Sequence, residues 1–409
     1  MTARRRHGVL VLGGGVVGAA AARALARGDE SRRPVDVVLV DAHPPGHRHG
    51  SSHGDGRIVR LTYPEAIYLD MARRSFAGWR ALEAERDESL LVTTGTYECG
   101  PARSPVIAEL AASLAVSGVP YRRLDTEASR RRFPQIELPL GAEAIYQPDG
   151  AVIHAERAVA ALWRSADAAG ARTHSDLRIE ALEIEDDGVI ARGTRRDGAA
   201  EVIHAERLVL ATGAWTSGFA ETLGLDLPLC VTREVVAYFP ISPRTTNYGD
   251  DHHVGGMPAV IDYHEPHPFY VLPQIEVAGL KVGWHRTGPA TDPDTDAVPD
   301  PDILRRITGF VADRLPYLDL HPVVTTTCLY TCTPDYHFVV DRHPRWPHVV
   351  LGTGFSGHGF KFAPVLGEML ADLVLDTIPR ASDMNTTAPH DLFHLARFAH
   401  AELVPRRSA

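Results

Sequence analysis

Apolar positions change period several times along the chain, and each change marks an element. Gly8 to Leu12 is a short apolar strand, followed by the helical run AAAARALAR and a second strand at Asp36 to Val40. Tyr63 to Glu88 is predicted helical, with Leu69, Phe76, Trp79 and Leu82 as its core stripe. Arg103 to Phe133 reads as helical stretches interrupted by Gly118 and Pro120, and Gln147 to His154 as a turn leading into a helix at Ala155 to Ala169. From Arg178 to Leu210 the pattern alternates and turns at Asp186-Asp187-Gly188 and Asp197-Gly198, ending in the strand Leu208–Leu210 and the small-residue turn Ala211-Thr212-Gly213. Between about Leu229 and Val324 the pattern gives strands and long loops, with 289–302 a surface loop by composition. Val323 to Tyr330 is β-branched and reads as a strand. The apolar run WPHVVLGTG then ends in glycines, and from Phe362 the positions Val365, Leu366, Met369, Leu370, Leu373 and Val374 recur at helical spacing. Pro364 is tolerated there because it falls in the first turn.

The first strand–helix pair carries a motif. Gly13, Gly15 and Gly18 form GxGxxG, and Asp41 closes the next strand near the ~20-residue offset of an acid that holds a ribose hydroxyl. Gly13 makes the tight turn, Gly15 lets a pyrophosphate approach, and Gly18 lets the helix pack on the strand. The basic and apolar N-terminus resembles a signal peptide, but glycines at fixed offsets in a strand–helix pattern favour nucleotide binding. The motif does not separate NAD from FAD. Ala211-Thr212-Gly213 suits a second pass of backbone beside the dinucleotide, and the turn before Phe362, with Lys361 at the helix start, suits a third, favouring negative charge. The order implies an α/β (α+β) chain: a discontinuous Rossmann-like nucleotide domain (1–88, 148–228, 326–409) and an interleaved mixed β-sheet substrate domain (89–147, 229–325).

Composition narrows the class. The 409 residues are 44% hydrophobic and 23% charged, as in an ordinary globular enzyme, and a net charge of −10 argues against a nucleic-acid surface. The four cysteines, Cys99, Cys230, Cys328 and Cys332, form no CxxC pair or disulfide framework, which fits a reducing, cytoplasmic setting. No run of about 18 apolar residues suggests a membrane span.

Candidate chemistry lies in three places. The glycine-rich loop HGSSHGDGRIVR carries Arg57 and Arg60 beside Ile58 and Val59, which suggests partly buried arginines whose anionic partner is a carboxylate ligand or the cofactor. Alternation in GLKVGWH puts Lys281, Gly283 and His285 on one face of a strand, and that in VVTTTCLY puts Cys328 with Tyr330. An exposed polar face would give the same pattern.

These motifs, in the order GxGxxG with its acid, SSHGDGR-IVR, ATGAW, GLKVGWH, CLYTCTPDYHFVVD and GFSGHGFKF, resemble the monomeric sarcosine oxidase and N-methyltryptophan oxidase branch of the FAD-dependent amine oxidases, almost end to end. The resemblance implies FAD attached covalently through Cys328, with Gly13, Gly15, Gly18, Asp41, Ser51, Arg57, Gly213, Gly354, Gly357, Gly359 and Lys361 around the cofactor. It implies that Lys281 activates oxygen, that Arg60 and Lys361 clamp a substrate carboxylate, and that Arg57 lies close to the flavin ring. Tyr270, His285, Tyr330 and His358 match site-lining residues. The loop departs from the branch's SHHGDTR at Ser52 and Gly56, so the substrate side can differ.

The implied activity is oxidation of a secondary or N-methyl amino acid to an imine, with O₂ reduced to H₂O₂, by a monomer that needs no metal. A flavin dehydrogenase or oxidase of a biosynthetic intermediate and an NAD(P)H-dependent flavin hydroxylase are the alternatives; Lys281 argues against a dehydrogenase and the lack of a second GxGxxG against the hydroxylase.

Overall fold

The computed structural model describes residues 6–242, 253, 256–376 and 391–398. The basic run at 1–5 and the outer parts of the C-terminal segment assigned to the nucleotide domain lie outside the described residues. Among the described residues there are three sheets.

The first sheet has a parallel centre. Arg6–Leu12 pairs in parallel with Val37–Val40 on one side and Ala200–Leu210 on the other, and Val349–Thr353 adds in parallel beyond Ala200–Leu210. Leu177–Glu185 and Gly188–Arg195 extend it as an antiparallel meander. Val9, Leu10, Val11 and the whole of Val37–Val40 are fully buried, as expected of strands covered on both faces. Val16–Arg27 packs against Ala363–Leu375 and Ala155–Ala168. Its alanines permit a close helix crossing. Gly367 completes the fit, because a Cβ there would sit 2.6 Å from the backbone carbon of Ala20.

The second sheet runs in the order Val324–Cys332, Cys230–Phe239, Leu280–Trp284, Phe269–Leu272, Ala259–Asp262, Thr96–Gly100, Glu143–Gln147 and Arg122–Asp125. A small third sheet joins Gly56–Val59 to Ala151–His154 and Leu91–Thr93. The glycine-rich loop ends in that sheet and so reaches the chemistry from the nucleotide side.

Several expectations need correction. Gln147 to His154 is two strand ends around a tight turn, because Ala151–His154 pairs with Gly56–Val59. Arg122–Asp125 is an edge strand inside a stretch read as helical. Pro301–Arg314 is a helix where long loops were expected; Asp300 caps it by accepting from Asp302 N at 2.8 Å and Ile303 N at 3.1 Å, and Ile303, Ile307, Phe310 and Val311 bury one face. Val324–Cys332 belongs to the second sheet, although the sequence boundary placed 326 onward with the nucleotide domain.

Candidate active site

One continuous cavity of about 890 Å³ runs from the first glycine turn to the second sheet. At the nucleotide end the geometry demands glycine. Gly13 has φ of 101°, and a Cβ there would lie 2.4 Å from Ala211 O; at Gly18 it would lie 1.8 Å from Gly13 O. At Gly15 only Ser52 Oγ comes near, at 3.2 Å, so this position opens to the cavity, as does Gly213, with nothing within 4 Å. Asp41 is placed at the turn: Oδ2 accepts from Gly14 N at 2.7 Å and Oδ1 from His43 N at 2.9 Å. Ser52 Oγ accepts from Val16 N at 3.0 Å, pinning the SSHGDGR loop to the start of the first helix. Ser51 contributes its carbonyl, which accepts from Arg57 Nη2 at 2.9 Å.

At the other end Lys281, Arg57 and Cys328 come together. Lys281 Nζ and Arg57 Nη1 both donate to Gly56 O, each at 3.0 Å. Lys281 is 6% exposed, which removes the exposed-face alternative. Burial lowers its pKa from 10.5 to about 7, and the neighbouring Arg57 pushes the same way. Burial raises the Cys328 thiol, while Arg57 and Lys281 oppose that rise. Tyr330 OH lies 3.2 Å from His285 Nδ1, and its ring fills the space above Gly357, where a Cβ would come within 2.2 Å. Tyr270 covers Gly283 in the same way. Burial, then Arg286, hold His285 well below the usual imidazole range, so it is neutral at pH 7.

Lys361 Nζ donates to Tyr63 OH and to His358 O, both at 2.9 Å, and touches no carboxylate among the described residues. Burial, followed by Arg60, lowers its pKa well below 10.5. His358 Nε2 meets Tyr336 O at 3.1 Å. Gly354 and Gly359 line the same turn of the cavity. Lys281 and Lys361 are the two lysines of the whole chain, and both lie buried in this cavity. Arginine supplies every other cationic side chain of its kind, so the compact, pKa-adjustable ammonium is confined to the site.

Arg60 departs from expectation. Its anionic partner is the protein's own Glu98, fully buried, whose two oxygens lie 2.9 Å from Arg60 Nη1. Tyr263 OH donates to the same carboxylate at 2.9 Å. Glu98, Tyr63, Tyr263 and Arg286 line or back the site without having been singled out in the sequence. For Glu98 the available signal was a carboxylate inside the otherwise strand-like TYECG.

A glycine-cradled dinucleotide groove joined to a cation-lined chamber defines a dinucleotide-dependent oxidoreductase. The residues present fit FAD: Gly15 and Gly213 leave the groove open, the first helix begins at it without a capping side chain from Gly15, and the groove is continuous with Cys328 and Lys281. The chain belongs to the FAD dependent oxidoreductase family, which matches residues 8–373.

Its relatives agree. It is 33% identical over 372 residues to the monomeric sarcosine oxidase of Bacillus sp. (strain B-0618), covering 90% of this chain and 92% of that one. It is 30% identical over 383 residues to the N-methyl-L-tryptophan oxidase of Salmonella arizonae, covering 91% and 96%. Among solved structures, NikD, described as an unusual amino acid oxidase essential for nikkomycin biosynthesis, superposes with a TM-score of 0.78 at 27% identity, covering 95% and 98%. L-proline dehydrogenase from P. horikoshii, at 22% identity and a TM-score of 0.77, shares the fold.

Proposed function

We propose that this enzyme oxidises the C–N bond of a secondary or N-methyl amino acid to an imine, with O₂ as acceptor and H₂O₂ as product. The observation that carries the reading is the pair of buried lysines, both in the cavity and neither touching a carboxylate among the described residues. Bound FAD would accept two electrons from the amine as a hydride equivalent and deliver them to O₂.

The protein's part is position and charge. Lys361 holds the substrate carboxylate through a charge-assisted hydrogen bond, with Arg60 as a nearby second cation whose charge Glu98 offsets. Neutral His285 and Tyr330 line the chamber without adding charge beside the amine. Lys281 places a fixed cation where negative charge appears on oxygen, and burial strengthens that interaction. Gly56 O, shared with Arg57, fixes its position.

Cys328 is our candidate for covalent attachment of FAD, supported by its buried place on the strand facing the cavity beside Arg57 and Lys281. After acid denaturation the yellow colour is expected to stay with the polypeptide and to be lost from it in Cys328→Ser; colour leaving entirely with the small molecules from the unmodified protein contradicts the attachment. Four free cysteines support a cytoplasmic setting, and a relative named as monomeric supports a monomer.

The activity is tested by mixing the purified flavoprotein in air with N-methyl and cyclic amino acids and reading peroxide. Flavin bleaching that persists in air without peroxide would instead support a dehydrogenase.

A further inference from the structure

Arg286 makes no ion pair with a carboxylate among the described residues. It follows His285 directly and holds a left-handed backbone with φ of 59°, a conformation non-glycine residues adopt at a cost. Its Nε donates to Ser356 O at 3.2 Å and its Cζ lies 3.9 Å over the Tyr336 ring. Nη1 and Nη2 make no hydrogen bond among the described residues, and Arg286 lines the cavity with Lys361, His285 and His358.

The nearby carboxylates are engaged elsewhere. Glu234 accepts from Thr232 Oγ1 at 2.6 Å and from the backbone N–H groups of Thr287 and Gly288, each at 3.0 Å. Asp335 pairs with Arg397 at 2.8 Å. Glu98 is bound by Arg60 and Tyr263. Glu65 and Glu109 line the same cavity but make no ion pair with Arg286.

Near Tyr63 and His358, Lys361 and Arg286 make no ion pair among the described residues, while Arg60 is paired with Glu98. Lys361 is buried and Arg286 half-buried, so an anion that reaches them offsets part of their lost hydration, and a planar guanidinium with two free nitrogens suits a carboxylate. A monocarboxylic amino acid satisfies one of the two.

We propose that the substrate is an amino dicarboxylate: a secondary amine whose α-carboxylate meets Lys361 and whose second carboxylate meets Arg286. This rests on the amine-oxidase reading above and narrows its substrate class. Arg286 is then a specificity-determining residue, and sarcosine-like monoacids are poor substrates.

The test compares N-methylaspartate and N-methylglutamate with N-methylalanine, and succinate with propionate as non-oxidisable ligands, on the flavin-loaded protein. The unmodified enzyme is expected to favour the diacids in kcat/KM, and succinate in calorimetric Kd. Arg286→Met should erase about 10- to 150-fold of that preference, lowering the diacid values by more than the monoacid values. Arg286→Lys, which keeps the charge, should restore part of it. An equal loss for diacids and monoacids, or no diacid preference in the unmodified enzyme, overturns the proposal. If no amine reduces the flavin, the oxidase reading fails, and succinate against propionate binding still decides the role of Arg286.

Discussion

The two ends of the cavity are built on opposite principles. At the nucleotide end the work is done by backbone and by missing side chains: Gly13 and Gly18 leave no room for a Cβ, Gly15 opens the groove, and Asp41 and Ser52 satisfy the N–H groups of Gly14 and Val16. At the other end the work is done by charge, buried at Lys281 and Lys361 and half-buried at Arg57, Arg60 and Arg286; these side chains converge from separate segments, and among them only Arg60 meets a carboxylate among the described residues. At the first end the turn is held by hydrogen bonds within the chain. The second stays incomplete until anionic groups arrive, which is how a site comes to favour a reaction that creates and moves negative charge.

The largest effect should come from the nucleotide end. Gly18→Ala drives a Cβ to 1.8 Å from Gly13 O, a backbone atom that cannot step aside, so purified protein should carry essentially no FAD. Normal flavin content, read as the ratio of absorbance at 450 nm to 280 nm, would show that the close helix–strand contact is not required.

At the charged end, Lys281→Met should split the two half-reactions. Anaerobic flavin reduction by substrate should slow modestly, while reoxidation by O₂ should fall roughly a thousandfold, corresponding to ~4 kcal/mol of lost charge stabilisation. Stopped-flow absorbance reads both. A collapse of reduction with normal reoxidation would assign Lys281 to the amine instead.

Lys361→Met should weaken carboxylate inhibitors by about 10- to 150-fold, the worth of one charge-assisted hydrogen bond. Arg60→Met should act differently, because it also strands the buried carboxylate of Glu98. A double change, Arg60→Met with Glu98→Gln, should recover thermal stability lost in the single variant.

The smallest effect is the pH dependence of Lys281. Its pKa is lowered to about 7, so the folded chain binds fewer protons than the unfolded one between about 7 and 10.5. Its burial therefore weakens the fold most below pH 7, and that cost disappears as pH rises toward 10.5. The catalytic sign is opposite. Reoxidation should be fastest where the ammonium is intact and decline about tenfold per pH unit above 7, a trend absent from Lys281→Met.

The same contrast explains what could be read in the sequence. The glycine turn, its two strands and its acid lie within one local stretch, and each residue type follows from local backbone need. Lys281 could be suspected from strand alternation and Lys361 from its place at a helix start after a glycine-rich turn. Their isolation from carboxylates could not, because it depends on segments far apart in the chain. Glu98 reaches Arg60 across 38 positions and two sheets, and no local period encodes that. Arg286 carries no signal of its own in the sequence, because it lies just beyond the strand Leu280–Trp284, where a polar residue normally faces solvent. The helix Pro301–Arg314 was hidden by the Pro- and Asp-rich run before it, although Asp300-Pro301 is a good helix start.

The division of labour between the two lysines can be observed directly, because the chain contains no others. Protein labelled with ¹³C at lysine Cε should give two side-chain resonances. Saturation with tetrahydrofuran-2-carboxylate, a non-oxidisable ring acid, should move the resonance lost in Lys361→Met and leave the one lost in Lys281→Met in place. The unmoved signal should titrate near pH 7. A ligand-induced shift confined to the Lys281 signal, or absent from both, would contradict the assignment of Lys361 to the substrate and Lys281 to oxygen.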